Sequence, residues 1–222
     1  FFDNNQYTVV HQDSPDFRGI DCAVIFNNQK FDLLFHEFIQ VKIPDSERPT
    51  RDILYVQLNS NRETLHIFIN HWPSRWGGQE ITEHKRVFAA EVLRNYIDKN
   101  TKENDNIIIM GDFNDYPSDK SVNKILVKED FTNLMGLING DEIGSYNYNN
   151  QWGFLDHIIV SDNLLNQRSN LQVVDFNVFN RDWMMYTNTK GKKKPNRTYG
   201  GDSWYKGFSD HLPVYCIFSF VK

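Results

Sequence analysis

Four short stretches of this chain put carboxylates, amides and imidazoles where an apolar run gives way to polar residues. The first is Ile-Ile-Ile-Met-Gly-Asp-Phe-Asn-Asp-Tyr-Pro, residues 107–117, in which Asp112, Asn114 and Asp115 follow Gly111. Oxygen-bearing side chains at a strand end are what a hard divalent cation or a reacting phosphate requires. The same residues also read as a plain turn. The second stretch is Phe-Ser-Asp-His-Leu-Pro-Val, residues 208–214. Asp210 can bind metal while His211 bonds a phosphate oxygen, or His211 can act as acid or base. Adjacent side chains of a strand diverge, so both reach one site only at an irregular strand start. An Asp turn beside a surface histidine is the alternative. The third stretch, Ile-Asn-His-Trp-Pro-Ser-Arg at 69–75, sets His71 just past a strand. The fourth, Leu155-Asp156-His157-Ile158, places a carboxylate inside an apolar strand. A buried carboxylate needs a partner, and an imidazole that it orients is a natural one. His157 follows it and is expected on the opposite face.

These residues need a scaffold of strands. Strand-sized apolar runs recur at 7–10, 21–26, 31–38, 52–59, 64–70, 106–110, 155–161, 171–179 and 212–220. In the fifth, Leu65, Ile67 and Ile69 alternate with His66 and Phe68, the period of a strand. Residues 107–110 are uniformly apolar, as in a strand covered on both faces. One helix is predicted over 82–99, where Val87, Phe88, Val92, Leu93, Tyr96 and Ile97 recur at helical spacing. A shorter helix is predicted after Ser118. Residues 111–120, 140–153 and 180–209 read as long loops, which are uncommon in a compact domain and often functional. No linker or repeat divides the chain, so one α/β domain with many strands and few helices is expected.

Taken in order, these motifs resemble those of the endonuclease/exonuclease/phosphatase superfamily, the DNase I-like enzymes. The residues that carry the resemblance are Gly111-Asp112-Phe113-Asn114, Leu155-Asp156-His157-Ile158 and Ser209-Asp210-His211-Leu212-Pro213-Val214. Asn70-His71 matches the family's upstream histidine, and the resemblance runs from about Arg18 to the end. It implies a four-layer α/β/β/α sandwich with the site at one edge. It also implies roles. Asp112 orients or deprotonates the attacking water, and Asn114 holds that water and a phosphate oxygen. His211 bonds the scissile phosphate and is positioned by Asp156. Asp210 binds the metal together with Asp112, the metal being Mg²⁺ or Mn²⁺. His71 assists at the phosphate or leaving group, with Asn70 on the substrate side. One departure stands out: no glutamate matches the family's metal-ligating Glu, since Glu37 lies after the Arg18-Gly19-Ile20-Asp21 segment rather than before it. The chain therefore reads as the family domain without its N-terminal strands and first helix. It opens on Phe1 with no charged-then-apolar leader, as a mature or truncated piece would.

Composition bounds the partners. The 222 residues carry 24 Lys and Arg against 29 Asp and Glu, a net charge of −5. A chain that coats nucleic acid without selectivity is usually basic, so a polyanion must be met by a local patch or through a cation. No apolar run approaches the roughly 18 residues of a membrane span. Cys22 and Cys216 lie in apolar runs and read as buried free thiols. Arg18, Arg51, Arg75 and Arg86 are candidate substrate contacts, with Arg75 the best placed because arginine pairs with phosphate in a bidentate way. The one basic run, residues 190–197, leads through several aromatics toward Asp210. It reads as a track for a nucleic-acid backbone, a contact for lipid headgroups, or a solvated loop. The five tryptophans and the remaining histidines read as structural. The expectation is a monomeric, divalent-metal-dependent phosphoesterase acting on a phosphodiester, with a nuclease first. Lipid or small-molecule phosphodiesterase and phosphomonoesterase follow, then a non-catalytic binding module on the same fold.

Overall fold

The computed structural model describes residues 6–44, 46, 48–61, 63–140 and 143–221. Its first strands are β1 (Tyr7–His11), β2 (Ala23–Asn27), β3 (Asp32–Ile39), β4 (Ile53–Ser60) and β5 (Glu63–His71). Helix α1 (Gln79–Asn100) leads to β6 (Asn106–Asp112), a π-helical turn (Ser121–Val127) and β7 (Phe131–Asn133). The hairpin of β8 (Tyr146–Tyr148) and β9 (Gln151–Gly153) precedes β10 (Asp156–Ser161) and β11 (Leu171–Val178). Two small hairpins follow, β12 (Met185–Thr187) with β13 (Lys193–Pro195) and β14 (Tyr199–Gly200) with β15 (Ser203–Trp204). Strand β16 (Val214–Phe220) comes last. Every predicted strand is present within a few residues of its expected bounds. The three hairpins stand where 140–153 and 180–209 read as loop, and the short β7 had no counterpart in the sequence reading.

A six-stranded sheet runs in the order β3-β4-β5-β6-β10-β7. Its neighbours are antiparallel except β5 and β6, which α1 joins in parallel. The alternation within the strands sets its two faces. On one, Phe68, Ile107, Ile109 and Ile159 pack on Ala89, Ala90, Leu93 and Ile97 of α1. On the other, Leu65, Ile108, Ile158 and Val160 meet Val173, Phe176, Cys216 and Phe218 of the β11–β16 pair. Leu54, Val56 and Leu58 on that same side meet Val10 and Phe26 of the β1–β2 pair. The uniformly apolar run at 107–110 is thus explained, because it has a helix on one side and strands on the other. The α/β fold is as expected, with α1 on one face of a central mixed sheet and strand pairs on the other. No helix of the described residues is long and apolar enough to cross a membrane.

Helix α1 begins three residues ahead of the predicted start, straight after Gly78 at φ 120°. Its buried face differs from the one read from periodicity, for it includes Arg86 and Arg94. Both are tolerated because acids meet them. Arg94 forks onto Asp130 through two nitrogens at 2.6 Å. Arg86 is fully enclosed, and its Nε lies 2.6 Å from Asp115 Oδ1 but off the N–H axis, an ion pair rather than an aligned hydrogen bond. Ser121 completes the Asp115 carboxylate by donating to its other oxygen at 2.6 Å. Arg86 therefore serves the core, not a substrate. Cys22 is buried and Cys216 half-buried, both as free thiols.

Removing one partner of a buried ion pair strands the other, which typically costs about 3–5 kcal/mol. Arg86→Ala is expected to lower unfolding free energy by about that much in urea titrations. A loss below about 1 kcal/mol, the range of surface pairs, would show that the pair does not hold the fold.

Candidate active site

Strand register brings the chemistry together. In the parallel β5–β6 pair His71 lies beside Asp112, and in the antiparallel β6–β10 pair Asp112 lies beside Asp156. Three residues from distant parts of the chain thus stand in a row at one end of the sheet. Gly111 is what lets β6 continue to this edge. It sits at φ 134°, and a Cβ there would meet the Asn70 carbonyl oxygen at 1.9 Å, so only glycine fits.

The fourth member comes from the other layer. His211 lies just ahead of β16, tied to Tyr146 by an isolated bridge, and its ring rests 4.7 Å from the Tyr146 ring. Its Nδ1 is 2.7 Å from Asp156 Oδ2. One donor atom each from Asp112, Asp156 and His211 falls within 4.8 Å of the others.

Electrostatics differentiate these groups. Burial pushes the Asp112 carboxyl up, the Asp156 charge pushes it further, and it titrates at about 7. Burial opposes charge on His211, but the hydrogen bond and charge of Asp156 outweigh it, raising the imidazole to about 9. His71 goes the other way. Burial, then the nearby charges of Arg51 and Arg18, press it down to about 4, so it is neutral at pH 7. Its Nε2 lies 3.6 Å from Asp112 Oδ2. At neutral pH the edge holds a carboxyl poised between its two forms, a cationic imidazole and a neutral one.

The loop after Asp112 is held rigidly. The Asn114 backbone N–H donates to Asp112 Oδ1 at 2.8 Å. Asn114 itself sits at φ 51°, and its side-chain amide donates to the Trp72 carbonyl at 3.0 Å. His157 is fully buried on the face away from the site, as predicted, with Nε2 2.9 Å from the Asp115 carbonyl oxygen. Burial keeps it neutral, with its protonation depressed to about 4.

Several expected substrate contacts turn out to be part of this frame. Arg75 was expected at the phosphate. Its guanidinium instead donates to the Asn114 carbonyl at 2.6 Å, Asp119 at 2.6 Å and Asp115 at 3.3 Å, and it stacks 4.1 Å over Tyr116. Asn70, expected on the substrate side, is buried. Its amide donates to the Phe68 carbonyl and its oxygen accepts from Trp72 Nε1. Arg51 is buried too, donating to the carbonyls of His71 and Trp72 and to Asp16. Arg18 pairs with the same Asp16. Arg75 and Arg51 are half-buried and buried guanidinium groups, which must find carbonyls and carboxylates nearby.

Asp210 is the other correction. It stands beside His211 on an irregular stretch, yet its carboxylate turns to Arg197, 2.9 Å away, and not into the cluster. Adjacent side chains diverge, and here only His211 points inward. The carboxylate that joins Asp112 is Asp156.

Ser145 and Tyr146 escaped sequence reasoning. The buried Ser145 hydroxyl accepts from the backbone N–H groups of Leu155 and Asp156, and its carbonyl accepts from Leu212 N–H. It therefore locks the starts of β10 and β16 to each other. No spacing in Gly-Ser-Tyr-Asn-Tyr announces this, because the partners are ten and more residues away.

The sequence matches the profile described as Endonuclease/Exonuclease/phosphatase family over residues 1–219. No curated protein matches it by sequence. Solved structures do match in fold. D. rerio TDP2 complexed with single strand DNA product superposes with a TM-score of 0.63 at 15% identity, covering 96% of this chain and 77% of that one. The human Nocturnin catalytic domain with bound sulfate anion gives 0.60 at 16%, covering 97% and 73%. A mannosyl-6-phosphatase from Bacteroides thetaiotaomicron gives 0.62 at 16%, covering 97% and 78%.

Asp156→Asn removes the anion that holds His211 charged. The His211 midpoint, followed by NMR of the ring, is expected to fall from about 9 toward its ordinary 6.5. Because the folded value is the raised one, the pair's stabilisation is complete below pH 6.5 and is lost as the pH rises through about 9. The variant's stability deficit should shrink over that window. An unmoved midpoint would show that Asp156 does not set the charge of His211.

Proposed function

The chain belongs to the Endonuclease/Exonuclease/phosphatase family, a hydrolase of phosphoester bonds, and we propose that it is a divalent-metal-dependent phosphodiesterase with nuclease activity foremost. One observation carries the reading: two carboxylates and a cationic imidazole, drawn from three distant segments, converge within 4.8 Å at an open sheet edge.

The donor set suits Mg²⁺ or Mn²⁺. Both prefer oxygen ligands, and Mg²⁺ commonly takes one or two carboxylates and keeps several waters. Asp112, with Asp156 beside it, would hold the ion. A cation there offsets the carboxylate charge and stabilises negative charge on phosphate oxygens.

The chain's own groups supply the rest. Asp112 would orient the attacking water and take its proton. His211, charged and oriented by Asp156, donates to a phosphate oxygen and stabilises the charge that grows there. Neutral His71, 3.6 Å from Asp112, is placed to relay a proton. Asn114 is held in place to orient the water and a phosphate oxygen. Ser145, Arg75 and His157 keep these atoms in register and touch no substrate.

A diester is favoured over a monoester because Arg197 of a basic, aromatic segment pairs with Asp210 beside His211, which sets a surface suited to a polymer next to the site. The D. rerio TDP2 structure with a single strand DNA product supports a nuclease on this fold. The mannosyl-6-phosphatase makes a monoesterase the second reading.

The test is hydrolysis of bis(p-nitrophenyl) phosphate, p-nitrophenyl phosphate and oligonucleotides with Mg²⁺ or Mn²⁺. Diester turnover that chelator abolishes is expected. Asp112→Asn and His211→Ala should each lower kcat by about 10²–10⁴-fold, the usual contribution of a positioned acid or base. Near-normal turnover in either variant removes the mechanism. Metal binding by calorimetry without hydrolysis of any ester would favour a binding module.

A further inference from the structure

Residues 180–209 depart from the rest of the chain in charge and in surface. They hold seven Lys and Arg against two Asp, a local net charge of +5 in a chain of −5. They also hold six aromatics: Trp183, Tyr186, Tyr199, Trp204, Tyr205 and Phe208. All six are exposed, four of them by 59% or more. Tryptophans 183 and 204 read as structural, yet both are largely exposed. Burying apolar area is the main driving force of folding, so six aromatics left in water within thirty residues call for a partner.

This segment is a built platform. Phe208 N–H donates to the Asn196 carbonyl and Tyr205 N–H to the Thr198 carbonyl, both at 2.7 Å, and Asn196 N–H reaches the Met184 carbonyl at 2.8 Å. At Gly207 a Cβ would lie 2.0 Å from the Asn196 carbonyl oxygen, so the chain is folded tightly on itself. Trp183 and Phe208 pack edge to face at 5.0 Å. Lys194 sits over Tyr186 at 5.7 Å and Lys206 over Trp204 at 5.8 Å. Arg197 links the platform to Asp210, next to His211.

Between the platform and the β8–β9 hairpin runs a groove of about 1100 Å³. Lys190, Lys192 and Lys193 line one wall, and Asn147, Asn150 and Gln151 the other. Tyr116 and Gly153 also line it. Tyr116 belongs to the loop that follows Asp112, and Gly153 leads through two residues to Asp156, so the groove adjoins the reacting edge.

We propose that this groove and platform bind single-stranded nucleic acid and lead it to the Asp112–Asp156–His211 edge. Lysines on one wall would follow the phosphates, amides on the other would meet the edges of unpaired bases, and the exposed rings would stack on their faces. A lipid surface explains the lysines and aromatics but leaves an amide-lined groove without a use. Base stacking needs unpaired bases, so a duplex should bind more weakly. The proposal rests on the phosphodiesterase reading and narrows it to a polymer.

Binding is measured on the full chain in chelator, so that chemistry plays no part. The probes are fluorescein-labelled dT₁₂, the same length as duplex, and phosphatidylglycerol vesicles. Tight dT₁₂ binding that weakens with salt is expected. The double variant K190A/K192A should bind at least about fivefold more weakly and lose about 1.4 from the log–log salt slope, at about 0.7 per phosphate contact on a single strand. Trp204→Ala should weaken dT₁₂ about tenfold through lost stacking. These side chains are exposed, so circular dichroism should be unchanged, as should turnover of bis(p-nitrophenyl) phosphate. Unaltered dT₁₂ affinity in both variants overturns the proposal, and so does vesicle binding that the double variant abolishes while dT₁₂ binding persists. Hydrolysis of the small diester without dT₁₂ binding sinks this inference alone. Binding that the variants weaken, without any hydrolysis, sinks the phosphodiesterase reading alone.

Discussion

Two half-buried carboxylates share one end of a sheet, and the surrounding structure is organised to tolerate that. Asp112 and Asp156 are neighbours across β6 and β10, and burial and the Asp156 charge disfavour ionisation of Asp112. A charged imidazole set against Asp156 relieves part of the strain and is itself held cationic by it. Asp112 has no such partner and is left close to its titration midpoint at neutral pH. A group in that state can exchange a proton readily or welcome a cation. The site's reactivity is thus a consequence of an unfavourable juxtaposition that the fold enforces.

Enforcement comes from buried charge as much as from apolar packing. Arg51 and Arg75 lie under or beside the site and spend their hydrogen bonds on its backbone and on Asp16, Asp115 and Asp119, while Arg86 is ion-paired with Asp115. Guanidinium groups suit this work because each can grip several oxygens in a fixed fork. Fully buried Phe113 and Trp72 fill the space between them, ring against ring at 4.6 Å. Burial, and after it the positive charge beneath the site, keeps His71 neutral, so residues that touch no substrate contribute to the protonation of one placed to do so.

Charge is segregated on the larger scale too. A net negative chain concentrates its excess of Lys and Arg in one aromatic-rich segment next to the reacting edge. Long-range repulsion of an anionic polymer by most of the surface, with attraction at one groove, favours arrival in a single place. The glycines and backbone hydrogen bonds that stiffen the platform make that attraction positional.

Much of this was legible in the residues alone. Alternation at Leu65–Ile69 and the apolar run ending at Gly111 located strands and their faces, because a side chain's direction in a strand follows from period two. The order Asp112, Asn114, Asp156, His211 marked the candidate site through resemblance, and His157 was placed on the far face by simple parity. What could not be read was which partner each polar group would choose. Arg75, Asn70 and Asp210 carry chemistry suited to a substrate or a metal, yet neighbours thirteen to forty-four residues away take up the first and third, and Trp72 takes the second. Ser145 has no local signature at all. The linear chain determines residue type and local period, and with them the strands and the candidate chemistry. Hydrogen-bond partners, burial and proton affinity depend on groups brought near only by strand register and layer packing, so those were decided by the tertiary structure.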